Sequence, residues 1–134
     1  MKKKRDKAEV VILESIQPPP EPHEVSAAWI LARHYNCAIE FLKPLDGYKH
    51  KTPDFVMRAL QWEVKSPKGN SKRNIRDKLS NAKTQSPNII LDARRSKLSD
   101  AYIESELRKQ VIVKKSIYRL LMITKAEIVI EIKL

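Results

Sequence analysis

The stretch KTPDFVMRALQWEVKSPKG, Lys51 to Gly69, decides how this sequence folds. Its two apolar runs read as the strands of a β-hairpin, yet Asp54, Glu63 and Lys65 stand where packing alone would place apolar residues. Side chains alternate faces along a strand, so Glu63 and Lys65 share one face while Trp62 and Val64 share the other. On the preceding strand Asp54 and Val56 share a face, opposite Phe55 and Met57. A turn of even length, for example Ala59-Leu60, gives paired positions opposite parity. That register collects Phe55, Met57, Trp62 and Val64 on one surface and Asp54, Glu63 and Lys65 on the other. A three-residue loop would scatter both sets. The turn itself is weakly coded, because no Asn-Gly or Asp-Gly stands where a two-residue loop favours one.

On the amino-terminal side, Pro18, Pro19, Pro20 and Pro22 form a stiff extended segment that separates a short strand candidate, Val10 to Leu13, from a helix over His23 to Tyr35. Val25, Ala28, Trp29 and Ala32 recur in that helix at helical spacing, and Glu24 sits in its first turn. The run AIEFL then reads as a strand, followed by a loop through Pro44 and Asp46-Gly47. On the carboxy-terminal side, Asn70-Ser71 is expected to cap a basic surface helix whose apolar stripe is Ile75, Leu79 and Ala82. NIILD has the all-apolar pattern of a strand covered on both faces. Ser99 or Asp100 caps a third helix to about Lys109, and IYRLLMIT with EIVIEIK forms a closing hairpin around Lys125-Ala126. This order predicts one α/β (α+β) domain, a central mixed sheet flanked by helices, over residues 23–134. Residues 1–22 are expected to be a basic arm with a short strand and the proline segment.

The chain has 134 residues, one domain's worth, with 27 Lys and Arg against 16 Asp and Glu and a net charge of +11. The single Cys37 provides no disulfide framework, and the apolar run near the amino terminus is too short for a signal core or a membrane span. These features fit a cytoplasmic protein with a polyanionic partner, nucleic acid ahead of an anionic membrane surface. His23, His34 and His50 have no ligand spacing with Cys37, so no zinc site is expected. Trp29 and Trp62 read as core aromatics.

Two carboxylates gathered on one face repel each other unless a cation joins them. Mg²⁺ is the natural one, a hard ion that takes one or two carboxylates and completes its shell with water and phosphate oxygens, with Mn²⁺ as an alternative. A lysine beside it can orient water and stabilise charge developing on a phosphate. By residue chemistry alone the same charges also fit the wet face of an amphipathic hairpin. Ser66, Lys68, Lys72, Arg73 and Arg76 follow in a loop and helix start suited to holding a neighbouring phosphate. Arg94 and Arg95 lie just past the buried strand, where they either contact substrate or cap the sheet.

Pro53-Asp54, eight intervening residues, Glu63-Val64-Lys65 and a preceding helix bearing Glu24 together resemble the PD-(D/E)XK nuclease superfamily. The longer pattern TPDF, QWEVKSPKGNSKRNI and QSPNIILDARR is similar to the carboxy-terminal toxin domains of contact-dependent growth inhibition proteins that act as tRNA nucleases. It spans about Lys51 to Arg95, with IYRLLMITK also similar. The resemblance implies Asp54 and Glu63 as metal ligands, Lys65 as the catalytic lysine and Glu24 as a helix carboxylate reaching the metal. It further implies tRNA as the favoured substrate and, for a toxic nuclease, an acidic immunity protein that meets the +11 surface; a DNA endonuclease or resolvase of the same fold, from a mobile element, is the alternative. A nucleic-acid-binding module without catalysis is the competing class.

Overall fold

The computed structural model describes residues 7–44 and 52–134. Lys2 to Arg5, the Asp46-Gly47 loop and His50 lie outside the described residues. The elements are β1 (Glu9–Val11), α1 (Pro22–Tyr35), β2 (Ala38–Phe41), β3 (Phe55–Met57), β4 (Leu60–Lys65), α2 (Arg73–Ala82), β5 (Asn88–Asp92), α3 (Asp100–Val113), β6 (Arg119–Ile123) and β7 (Val129–Lys133). The strands form one mixed sheet in sequential order, β1 to β7. β1–β2, β4–β5 and β5–β6 are parallel, each pair connected through a helix, and the remaining neighbours are antiparallel. The expected α+β architecture is therefore present. The described part of residues 1–22 takes part in it, since β1 pairs with β2 and Ile16 is buried.

The hairpin parity holds, with Phe55 opposite Trp62 and Met57 opposite Leu60. The turn is Arg58-Ala59 rather than Ala59-Leu60, one residue earlier than expected. Both turn residues have positive φ, 54° and 67°, the backbone of the primed turns that match strand twist. The sequence hid this because neither position is Gly or Asn. Arg58 offsets part of the strain by lying over the Tyr35 ring, 4.6 Å from its centroid.

Two apolar layers result. Ala27, Ala28 and Leu31 of α1 cover Phe55, Met57, Trp62, Val64 and Ile90 on one face. Ile75 and Leu79 of α2, with Ile103 and Leu107 of α3, cover Ile89, Leu91, Leu120 and Met122 on the other. β5 alternates between the layers, which is why NIILD reads as continuously apolar. Burying each such side chain is worth about 1.5–3 kcal/mol, so a one-residue slip at the β3–β4 turn would forfeit several at once.

The helices depart from expectation in several details, α3 running on to Val113 among them. α2 has Lys72 at its N-cap with no side-chain cap bond, so Asn70-Ser71 does not cap it; Asn74 Nδ2 donates instead to the Lys68 carbonyl at 3.1 Å. Trp29 is only half-buried, with the Arg33 guanidinium 5.1 Å from its ring centre, whereas Ile30 and Leu31 are buried. α1 starts at Pro22 with a capping box between Glu21 and Glu24 and ends on Asn36 in the left-handed region. α3 is capped by Ser99, which accepts from the Tyr102 N–H.

Candidate active site

Asp54 precedes β3 but is held as firmly as a strand residue: its N–H donates to the Trp62 carbonyl and its carbonyl accepts from the Leu42 N–H, both at 2.9 Å. The Val64 N–H then donates to Asp54 Oδ2 at 2.8 Å. Across the hairpin, Glu63 is 3% exposed. Its Oε2 lies 3.2 Å from Lys65 Nζ, while its Oε1 is buried with no hydrogen-bond partner among the described residues. Lys65 Nζ also donates to Gln85 Oε1 at 3.1 Å. These side chains and Glu24 line one open cavity of about 440 Å³. It lies where the amino terminus of α1 meets the ends of β2, β3 and β4.

The electrostatics are those of a site short of positive charge. Burial is the main cause that pushes Asp54 up to about 6, with the charge of Glu24 adding to it and the Val64 N–H opposing it. Burial likewise pushes Glu63 up to about 8, reinforced by Asp54 and opposed by Lys65. One ammonium thus faces a buried and a half-buried carboxylate, and a buried acceptor without a donor is costly. Hard oxygen donors with an orphaned Oε1 suit Mg²⁺ or Mn²⁺, which need only one or two carboxylates from the protein. Among the described residues, no group of three or more His, Cys, Asp or Glu is placed to hold a metal ion. Glu24 Oε1 accepts from the Glu21 N–H at 2.7 Å, so one oxygen of the third predicted carboxylate is occupied by helix capping.

The structure separates the predicted phosphate contacts into three places. Arg95 donates from Nε to Ser66 Oγ at 3.1 Å and from its terminal nitrogen to the Ser66 carbonyl at 3.0 Å, at the adjacent ends of β4 and β5. Lys68 is exposed just beyond Ser66. Lys72, Arg73 and Arg76 line a second cavity with Tyr102 and Glu106, and Lys72 Nζ lies 5.4 Å from the Tyr102 ring centre. Arg94 turns inward: it pairs with Asp92 Oδ2 at 2.8 Å, donates to Ser26 Oγ at 2.7 Å and donates to the His23 carbonyl at 3.0 Å. Of the two uses expected for Arg94, this geometry matches the structural one, tying the end of β5 to the first turns of α1 on both sides of Glu24.

Sequence reasoning missed Gln85, which joins Lys65 to the Thr52 carbonyl, 3.5 Å from its Nε2. It also read the proline segment as a separator, whereas Ile16, Pro18 and Pro20 form part of the cavity wall. Neither feature has a local signal, because each acts only once distant segments meet.

Residues 51–129 match the family model described as the contact-dependent growth inhibition CdiA C-terminal domain. Among solved structures, the chain is similar to one in a CdiA-CT/CdiI toxin and immunity complex from Burkholderia pseudomallei. That match has 17% identity and a TM-score of 0.62, covering 94% of this chain and 99% of that one. At that identity the likeness concerns the fold. No curated protein sequence matches the chain. No helix among the described residues is long and apolar enough to cross a membrane.

Proposed function

The chain belongs to the contact-dependent growth inhibition CdiA C-terminal domain family, and from that premise we propose that it is a toxin-type, metal-dependent endonuclease. We assign it to the PD-(D/E)XK class, cutting phosphodiester bonds in RNA, tRNA above all, in the cytoplasm of a target cell. The observation that carries this reading is Lys65 held between Glu63 and Gln85, beside a buried Glu63 oxygen that lacks a partner among the described residues.

Asp54 and Glu63 would hold Mg²⁺, or Mn²⁺ on the same donors. Bound there, the ion supplies Lewis-acid stabilisation of charge developing on the phosphate. Asp54 is oriented for this task by the Val64 N–H on Oδ2. Lys65 orients the attacking water and stabilises the phosphate with its ammonium, a role that needs it close to Glu63 without being neutralised elsewhere. Glu24 contributes its uncapped oxygen to the same cavity. Ser66, Arg95 and Lys68 would hold the phosphate adjoining the scissile one, and Lys72, Arg73 and Arg76 the backbone farther along. The solved relative is a toxin seen with its immunity protein; for this chain we infer an acidic immunity partner matched to the +11 charge.

Parallel digestion of tRNA, duplex DNA and single strands, with and without EDTA, tests the reading. Metal-dependent RNA cleavage that disappears in Lys65→Ala is the expected result. Metal-dependent cutting of DNA alone would move the substrate to DNA. Absence of cleavage with both Mg²⁺ and Mn²⁺, or cleavage unaffected by EDTA, would overturn it.

A further inference from the structure

The cavity that holds Asp54, Glu63 and Lys65 has an apolar lining as well as a charged one: Ile16, Pro18, Pro20, Phe41, Leu42 and Pro44 form it. None of these side chains carries a hydrogen-bonding group. Ile16 and Phe41 are each 4% exposed and form a firm base, Phe41 being packed edge-on against Phe55 with ring centres 5.4 Å apart. The intervening polar residue, Gln17, donates its amide to the Glu14 carbonyl. Proline rings have little conformational freedom to lose on binding, so this wall is preformed.

We propose that the wall is a subsite for one unpaired nucleobase of the nucleotide whose phosphate is cut. The inference rests on the nuclease reading of the same site and adds a substrate requirement to it. A phosphate or a sugar hydroxyl would find no polar side-chain partner on this wall, and desolvating either there is unfavourable. A base has two apolar faces, which suit a slot between aliphatic and proline surfaces, and the cavity volume of about 440 Å³ lies within the range of small-ligand sites. Because the same cavity is lined by Lys65 and Glu63, the phosphate would meet those charged groups and the base the apolar lining. A base inside a stacked duplex cannot reach such a slot, so the nucleotide at the cut must be unpaired or drawn out of the helix. Because these side chains offer no donor or acceptor, they favour the presence of a base over its identity.

The test has two independent arms. In the first, the cut in an RNA substrate is mapped, and the nucleotide there is then made abasic or locked in a perfect duplex. Each change is expected to lower kcat/KM at least tenfold, while exchanging one unpaired base for another changes it less than tenfold. In the second, the Ile16 methyl signals are followed by NMR as wild-type protein is titrated with uridine 5′-monophosphate, adenosine 5′-monophosphate or ribose 5-phosphate. The nucleotides are expected to bind at least tenfold more tightly than ribose 5-phosphate, and Pro20→Asp, with unchanged Tm, to remove that difference.

Abasic and duplex substrates cut as fast as the unpaired one overturn the subsite while leaving the nuclease intact. If no nucleic acid is cut, the nuclease reading fails by itself. The NMR arm then decides the subsite: a retained nucleotide preference supports it, and equal binding of ribose 5-phosphate overturns it.

Discussion

The ammonium of Lys65 stands 3.2 Å from one oxygen of Glu63, and the other oxygen of that carboxylate is buried without a partner among the described residues. This asymmetry separates the stability of the site from its activity. At pH 8 without metal, Glu63→Gln removes a buried charge that burial already disfavours, so it is expected to stabilise the fold by about 1–2 kcal/mol. Lys65→Ala removes the ammonium that, among the described residues, pairs with Glu63 and is expected to destabilise by about 2–3 kcal/mol. Both should abolish cleavage. Thermal melts of the two variants that move in the same direction would contradict this account.

Metal dependence should be visible in stability as a function of pH. Asp54 and Glu63 rise from 3.8 and 4.5 to about 6 and about 8 on folding. The folded chain therefore binds protons more tightly than the unfolded one between those values, and stability is lost as pH climbs through that window. Mg²⁺ favours the ionised pair, so its effect has the opposite trend. At a concentration 100 times Kd it should stabilise by about 2.7 kcal/mol once the pair is ionised, and by much less at pH 5, where protons occupy the site. Melts at pH 5, 6.5 and 8 with and without Mg²⁺ check this; a Tm gain independent of pH, or one retained in Glu63→Gln, speaks against the assignment.

Arg94 and Arg95 are neighbours in sequence in opposite surroundings, the first turned inward onto Asp92 and the second exposed beside Ser66. Arg94→Ala leaves Asp92, which is fully buried, without its ion-pair partner, and is expected to destabilise by about 3–5 kcal/mol. It also releases the first turns of α1 around Glu24, so kcat should fall even below the melting range. Arg95→Ala should lower Tm by only a few degrees, since it removes just two exposed hydrogen bonds to Ser66. On the proposed role of Arg95 in holding RNA, the slope of log affinity against log salt should drop by about one. Melting curves and filter binding at several salt concentrations separate the two.

How far the sequence reaches depends on the range of the interaction. Phe55, Met57, Trp62 and Val64 alternate with Asp54, Glu63 and Lys65, and alternation with even parity was enough to sort them onto two faces. NIILD was legible as a strand covered twice because its neighbours on both faces are apolar helices. Gln85 and Thr52 were not legible, since the contact between them spans 33 positions and neither residue type marks a site by itself. The proline segment was read through its backbone stiffness, which is correct locally and silent about the cavity wall it forms. The inward turn of Arg94 depends on Ser26 and His23, whose positions only the packed helix α1 defines.

The β3–β4 turn carries the last prediction, because the register of the whole site rests on it. Ala59 has φ of 67°, where a Cβ is unfavourable and glycine is not. Ala59→Gly should therefore stabilise the chain by about 0.5–1 kcal/mol, the relief of strain exceeding the added entropy of the unfolded chain. Arg58, with φ of 54°, differs because its guanidinium lies over Tyr35. Arg58→Gly gains the same backbone relief but loses a cation–π contact worth about 0.5–1 kcal/mol, so its net effect should be near zero. Deleting Ala59 makes the loop odd, and every residue on one strand then faces the wrong layer. That deletion should unfold the chain or abolish metal-dependent stabilisation, because Asp54 and Glu63 no longer share a face. A deletion variant that melts cooperatively near the wild-type Tm and still responds to Mg²⁺ would show that register is not what assembles the site.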